Sequence, residues 1–240
     1  MINLLKQACL HPIDYVGVLK TRTLIFKEKL ARENGIYTFV FEIAKPFNWK
    51  AGQHAIFTLP GKNVQGKTWR PFSIASSAHE QLVMIGTNIP DTPSDFKKKL
   101  MVLVPGEEIS IHGPFGEFHT ADKPRQIVGV AGGIGITPFR ALAYEIARGY
   151  LPDTKLTLVY SAKDSYTFKD ELDSWQNENL EIIYTHTPNE VNSAIHNQFN
   201  IYSNEADYYI SGSPGMIGAI RKNLQKLGIK KIVNDPFRGY

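Results

Sequence analysis

Ile127-Val128-Gly129-Val130-Ala131-Gly132-Gly133-Ile134-Gly135-Ile136-Thr137-Pro138-Phe139-Arg140-Ala141-Leu142 is the stretch that decides the fold. Its first five residues are short, apolar and rich in branched side chains, the pattern of a strand buried on both faces. Three glycines follow, and then Thr137 and Pro138, where a hydroxyl can cap a helix and a proline can take its first position. Such glycines let backbone approach a pyrophosphate, and the helix N-terminus supplies amide donors to it. The loop departs from the usual dinucleotide fingerprint, because Pro138 stands where the third glycine belongs.

Outward from this stretch toward the C-terminus, strand and helix alternate. Strands are expected at Gln126–Ala131, Lys155–Ser161, Leu180–Tyr184, Asp207–Ser211 and Lys230–Val233. Helices are expected at Pro138–Arg148, Phe168–Glu178 and Met216–Leu227. Alternation of this kind reads as right-handed βαβ units and a parallel sheet covered on both faces. Ligands of such sheets bind beyond the carboxyl ends of the strands. Two further strand ends carry fitting chemistry there. Tyr160-Ser161-Ala162-Lys163 offers a hydroxyl and a cation to a ribose or its 2′-phosphate. Tyr209-Ile210-Ser211-Gly212-Ser213-Pro214-Gly215-Met216 turns from strand into helix. Each alone can be a plain loop, but three on one edge point to a dinucleotide crevice.

Toward the N-terminus the rhythm is different. Short β-rich segments, Ile36–Ile43, His54–Leu59, Arg70–Ala75, Gln81–Gly86 and Glu108–His112, are separated by Pro46, Gly52, Pro60-Gly61, Gly66 and Pro105-Gly106. Closely spaced strands with such punctuation predict a β-barrel or sandwich, interrupted by one helix at Ser94–Leu103. The boundary falls near Ala121-Asp122-Lys123-Pro124, giving expected domains of residues 1–122 and 123–240. Within the first, Arg70-Pro71-Phe72-Ser73-Ile74 sets a permanent cation, an aromatic ring and a hydroxyl in one extended segment. Alternation puts Arg70 and Phe72 on one face, where a guanidinium can fork onto phosphate and a ring can cover a heterocycle. The same segment also reads as an ordinary sheet surface. Ser94, with Lys97 one turn on, can present a phosphate-binding helix start, or Ser94 can simply cap its own helix.

Composition narrows the function. Of the 240 residues 42% are hydrophobic and 21% charged, as in globular chains that bury a core. No apolar run reaches the roughly 20 residues that span a bilayer, and the N-terminus lacks the layout of a signal peptide, so a cytoplasmic protein is expected. Cys9 is the one cysteine and the seven histidines are scattered, which leaves no ligand set for an iron–sulfur cluster or other metal. Net charge is +4, mild enough to suit an acidic partner or phosphate ligands. Lys97-Lys98-Lys99 lacks the aromatic interleaving of nucleic-acid binders, so no nucleic-acid partner is expected.

Four motifs in order carry a resemblance: Arg70-Pro71-Phe72-Ser73, then His112-Gly113-Pro114-Phe115-Gly116-Glu117-Phe118, then Gly132 to Pro138, then Ser211-Gly212-Ser213-Pro214-Gly215-Met216. Together they resemble the ferredoxin–NADP⁺ reductase superfamily from about Tyr15 to Tyr240. The resemblance implies a six-stranded antiparallel flavin barrel followed by a five-stranded parallel sheet. It implies FAD rather than FMN, with NADPH or NADH as hydride donor. By position, Arg70 would hold the flavin phosphates, Phe72 would stack on the isoalloxazine, and Ser73 would hydrogen-bond near its N5, with Pro71 and Ile74 in the same cofactor-binding segment. Ser94 and Lys97 would take the pyrophosphate. Gly132, Gly133, Gly135, Thr137 and Pro138 would hold the dinucleotide, Ser161 and Lys163 its ribose end, and Gly212, Pro214 and Met216 its nicotinamide end. Ser211 would stand beside the reacting rings, and Phe237 or Tyr240 would close the outer flavin face. Ser73, Ser211 and Tyr240 are the residues this assigns to the chemistry.

Three departures accompany the match. Phe72 replaces a tyrosine, Ser94 lacks the glycines that often precede it, and Ser211 replaces a cysteine. The expected acceptor is an acidic electron carrier, such as a ferredoxin- or flavodoxin-like protein, or a small molecule. Two other functions fit the same residues: a reductase of free flavin, and a non-catalytic electron-transfer subunit of a larger complex.

Overall fold

The computed structural model describes residues 12–120 and 125–235. The chain divides into two units, Met1–His119 and Thr120–Tyr240. In the first, β1 (Thr21–Ala31), β2 (Ile36–Ile43), β3 (His54–Thr58), β4 (Trp69–Ser73), β5 (Leu82–Asn88) and β6 (Glu108–Phe115) form one six-stranded sheet. Its order is β4-β3-β6-β1-β2-β5, and every pairing is antiparallel. β6 alternates strictly, with Ile109, Ile111, Gly113 and Phe115 turned inward, as a sheet with one apolar face requires.

The two end strands meet, so the sheet closes. Past β4, the Ala75 N–H donates to the Met84 carbonyl at 2.7 Å. The Ser76 hydroxyl donates to the Leu82 carbonyl at 2.8 Å and accepts from the Met84 N–H at 2.9 Å. A closed sheet has no free edge to aggregate. Its interior is aromatic and aliphatic: Leu24, Phe26, Phe39, Phe41, Phe57 and Ile85 are fully enclosed. Each such side chain contributes about 1.5–3 kcal/mol on burial. A helix, α2 (Asp95–Met101), adds Phe96 and Leu100 to that core. A short turn of helix, α1 (Pro12–Tyr15), lays Tyr15 against Phe115 and brings Asp14 to 3.0 Å from His119.

In the second unit β7 (Arg125–Gly132), β8 (Thr154–Ser161), β9 (Leu180–Thr185), β10 (Ala206–Ser211) and β11 (Ile232–Asn234) form a parallel sheet in the order β11-β10-β7-β8-β9. Helices α3 (Thr137–Ala147), α4 (Lys169–Trp175), α5 (Pro188–Tyr202) and α6 (Pro214–Lys226) connect the strands. Val128, Val130, Val159, Ile195, Tyr208, Ile210 and Leu224 are enclosed between them.

The expected architecture is the one found, with β1 and α5 among the elements unforeseen. β1 escapes pattern reading because a bulge between Phe26 and Glu28 shifts its register and breaks the alternation. α5 escapes because its buried stripe is thin: Val191, Ala194, Ile195 and Gln198 in fifteen residues. Its start signal is nonetheless present, since Thr187 accepts from the Glu190 N–H at 3.2 Å and Pro188 follows it.

One buried group makes barrel stability depend on pH. The His54 ring lies 4.3 Å from Phe115, edge to face, and fills the space a side chain on Gly116 (φ +110) would need. Burial pulls its pKa from the ordinary 6.5 down to about 3. Between those values the unfolded chain binds a proton that the folded chain refuses, so stability rises with pH across that window. Urea unfolding of the chain at pH 4, 5, 6 and 7 is therefore expected to show stability falling toward acid. His54 contributes up to about 1.4 kcal/mol per pH unit to that slope. His54→Gln should flatten the slope; an unchanged slope would remove His54 as its source.

Candidate functional site

In the barrel unit, β4 pairs with β3 so that Arg70 faces Phe57 and Phe72 faces Ala55. Phe57 and Ala55 point into the barrel, so Arg70 and Phe72 share the inward face, as the alternation predicts. Arg70 is only 8% exposed, and its Nη1 donates to the Lys67 and Trp69 carbonyls, both at 2.8 Å. Its guanidinium lies 5.5 Å from the centre of the Phe96 ring. Beside it Lys97, 5% exposed, donates to the Asn88 carbonyl at 2.6 Å. Burial and then the charge of Arg70 pull the Lys97 ammonium below its ordinary pKa. Two cations are thus held as neighbours at one end of the barrel.

Phe72 is half-buried, edge-on to Phe57 at 5.4 Å and 6.3 Å from Phe96. Ser73, also half-buried, ends the strand opposite His54. Pro71 is buried on the other face, paired with Ile56. Ile74 gives its side chain to the core and its N–H to the Gln53 carbonyl at 2.9 Å. The Ser94 hydroxyl accepts from the Lys97 N–H at 3.4 Å, so it caps its own helix, and the Lys97 ammonium turns inward instead of standing at the helix start.

In the second unit, parallel registers set strand ends side by side. Gly132 pairs with Ser161, Ser161 with Thr185, Ala131 with Ser211, and Ile210 with Asn234. The three strand-end motifs therefore lie along one edge of one sheet. The glycines there have different causes. A side chain on Gly132 would meet the Met216 sulfur at 2.0 Å, and one on Gly135 would meet the Ser211 carbonyl oxygen at 2.4 Å. Gly135 is demanded by packing against backbone at the end of β10, whereas at Gly132 the flexible tip of Met216 in α6 would have to move. Gly133, at φ +53, faces open space, which is where a bound group can come close to backbone.

Thr137 does not cap α3. A 3₁₀ turn at Gly133–Ile136 runs straight into the helix, Ile136 takes the cap position, and the Thr137 hydroxyl donates back to the Ile134 carbonyl at 3.1 Å. Pro138 therefore takes the second helical position and not the first. Ser161 is half-buried and Lys163 exposed. Ser211 is enclosed, and its hydroxyl donates to Asp235 at 3.1 Å. Gly212 packs against Gly132, Pro214 starts α6, and Ser213 caps it by accepting from the Met216 N–H at 3.4 Å. Phe237 and Tyr240 lie outside the described residues.

Two residues at this edge are not singled out by the sequence. Asp235, just past β11, holds Ser211 and donates its N–H to the Ile210 carbonyl at 2.9 Å; an acid following the last strand is its signal. His186, just past β9, lies 3.2 Å from the Ala162 carbonyl and packs on Tyr166; no sequence pattern marks it. Among the described residues no group of three or more His, Cys, Asp or Glu is arranged to hold a metal, and no helix is long and apolar enough to cross a membrane.

Residues 130–222 match the oxidoreductase NAD-binding domain family. A component of the Na⁺-translocating NADH-quinone reductase of Idiomarina loihiensis is 25% identical over 228 residues, covering 83% of this chain and 56% of that protein. The chain spans about half the length of the curated relatives it matches. The cytochrome P450 reductase of Amycolatopsis superposes with TM-score 0.76 at 19% identity, over 91% of this chain and 70% of that one. The ferredoxin–NADP⁺ reductase of Plasmodium falciparum does so with TM-score 0.74 at 19% identity, over 91% and 97%. The chain therefore has the two-domain fold of the ferredoxin–NADP⁺ reductase superfamily. The residues that match the NAD-binding family, 130–222, all lie in the second unit.

The packing reading of Gly135 has a direct check. Gly135→Ala should cost about 1–3 kcal/mol, because the methyl group meets backbone that cannot yield cheaply. Gly215→Ala, in α6 with nothing within 4 Å, should be neutral or stabilising by up to about 1 kcal/mol. Chemical denaturation of the two variants measures this, and equal effects would contradict the reading.

Proposed function

We propose that the chain is an NAD(P)H-dependent flavoprotein reductase that passes hydride from the nicotinamide to bound FAD and electrons on to an acceptor. The observation that carries the reading is the pair of buried neighbouring cations, Arg70 and Lys97, beside the Phe96 ring. Two like charges held together in a sheltered place attract a multivalent anion strongly. A pyrophosphate is a fitting anion, since a guanidinium grips it with paired hydrogen bonds and a lysine adds a point charge. Beside it Phe72 offers a half-buried ring and Ser73 a hydroxyl. The donor set suits FAD, and the strand-end row with the open backbone at Gly133 suits a dinucleotide.

When bound, the flavin supplies the capacity to accept a hydride and release electrons in one- or two-electron steps. The protein supplies position and electrostatics. Arg70 and Lys97 hold phosphate, Phe72 covers a ring, and Ser73 orients a ring edge. Gly132, Gly133 and Gly135 admit the dinucleotide backbone to the strand ends. Gly212 and Met216 bound its nicotinamide end, and Asp235 fixes Ser211 beneath them. Ser161 and Lys163 favour a 2′-phosphate and hence NADPH, and Asp164 next to them works the other way. No side chain need serve as general acid or base, since bringing the reacting atoms together supplies much of the rate.

The acceptor we propose is an acidic electron-carrier protein, drawn by a net charge of +4, or a small molecule. A second reading has an observation of its own. The relative from Idiomarina is by name one part of a larger reductase, so the chain can equally pass electrons within an assembly. A cytoplasmic setting fits both readings, because the nicotinamide donors are found there.

The purified chain is expected to carry or take up FAD. Arg70→Ala should weaken FAD about 10- to 100-fold, the worth of a charge-assisted hydrogen bond to phosphate, and leave NADPH affinity unchanged. Equilibrium binding of both ligands to both proteins measures this. Equal FAD affinity would remove Arg70 from the site, and wild-type chain that takes up neither FAD nor FMN would refute the flavin reading.

A further inference from the structure

The two sides of the parallel sheet carry opposite charge. Val128 and Val130 of β7 are enclosed with Ile195 of α5 and Leu224 of α6. Gly129, between them, faces Phe139 of α3, so α5 and α6 cover one side and α3 the other. The Arg140–Glu171 ion pair holds α4 to α3. On that side Lys169 stands against Asp170, Glu171, Asp173 and Glu178. The stretch from Tyr208 to Asn234, which contains α6, has no acid and carries Arg221, Lys222, Lys226, Lys230 and Lys231. Lys231 is paired with Asp207 at 2.8 Å. The other four are exposed, and among the described residues none of them meets an acid. α5 extends this surface, since the Asn223 side chain donates to Asn192 at 3.0 Å and the Asn204 side chain to the Gly228 carbonyl at 3.2 Å. Its exposed Asn192, Ser193, Asn197 and Asn200 are uncharged; Glu190 opens the helix and Glu205 follows it.

We propose that this α5–α6 face docks on an anionic lipid surface, a role that goes beyond the flavin reading and does not depend on it. A bilayer with anionic headgroups offers many negative charges in one plane, and each lysine or arginine near it is worth about fivefold in affinity. Arg221, Lys222, Lys226 and Lys230 together then give several hundredfold, on the order of reversible docking and well short of permanent anchoring. The kind of side chain argues against a protein partner. Centres of protein–protein contacts are rich in Tyr, Trp and Arg and poor in Lys. Here three lysines accompany one arginine, and among the described residues of α5 and α6 no aromatic ring is exposed. Gly215 and Gly218 on the exposed side of α6 leave the helix flat for close approach. The acidic side fixes the direction, because an anionic plane attracts one side of the sheet and repels the other.

The test is co-sedimentation of the full chain with phosphatidylcholine vesicles and with vesicles in which roughly one lipid in three is phosphatidylserine. Binding is expected to the second kind alone at about 0.05 M salt, and release at about 0.5 M, where the screening length falls to about 4 Å. Lys222→Gln with Lys226→Gln should weaken binding about 25-fold, at about fivefold per charge. Arg221→Gln with Lys230→Gln should do the same, which keeps the test available if either pair is misfolded by circular dichroism. Lys98→Gln with Lys99→Gln, in the barrel unit, removes the same net charge and should change binding less than about twofold. No binding to anionic vesicles at low salt, equal binding to both kinds of vesicle, or equal losses from all three pairs would overturn the proposal. So would a random-sequence DNA duplex or a poly-glutamate chain that strips the protein from the vesicles at equal charge, since the face would then belong to nucleic acid or to an acidic protein.

Discussion

Arg70 and Lys97 sit as buried neighbours in the barrel unit, and the function proposed for that unit rests on them. Burying one charge costs several kcal/mol after relaxation, and a second of the same sign adds to it. Carbonyls help the barrel tolerate them: Lys67 and Trp69 for the guanidinium, Asn88 for the ammonium. The aromatic interior around Phe26, Phe41 and Phe57 supplies the stability that offsets the cost. An anion with several oxygens is drawn to such a pair, and the strand delivers Phe72 and Ser73 to the same place.

The second unit obeys a different constraint. Parallel strands end on one edge, so any chemistry placed at their carboxyl ends is brought together by the register alone. The glycine loop illustrates how packing and binding share the same residues. Gly135 is small because the end of β10 leaves no room and Gly132 accommodates the Met216 side chain, whereas Gly133 has backbone that faces open space. The loop thus serves the sheet twice. It closes β7 against β10, and it leaves backbone accessible where a pyrophosphate would arrive.

Much of this is legible in the sequence. The run from Ile127 to Leu142 announces strand, loop and helix in one line, and the contrast between punctuated β segments and alternating strand and helix separates the two halves. Periodicity fails where the structure breaks its own period, at the β1 bulge near Phe26, and where the buried stripe is thin, in α5. Side-chain roles are harder. Ser94 and Thr137 look alike in sequence, each a hydroxyl before a helix. Only Ser94 caps, because a 3₁₀ turn ahead of α3 draws Thr137 into the helix. Asp235 and His186 become neighbours of the site through strand register, which no local pattern reports. Lys97 reads as a cation at a helix start, yet its place on the inner side of α2 buries it.

The function proposed for the chain, accepting hydride from a nicotinamide onto a flavin that it holds, draws on the fold, the match of residues 130–222 and the buried cations. The most direct test is an anaerobic titration of the FAD-loaded chain with NADPH and, separately, NADH, followed at the long-wavelength flavin absorbance. Stoichiometric bleaching by at least one donor, reversed on admitting an electron acceptor, is the predicted result. A FAD-loaded chain whose flavin stays oxidised with either donor in excess would contradict the account.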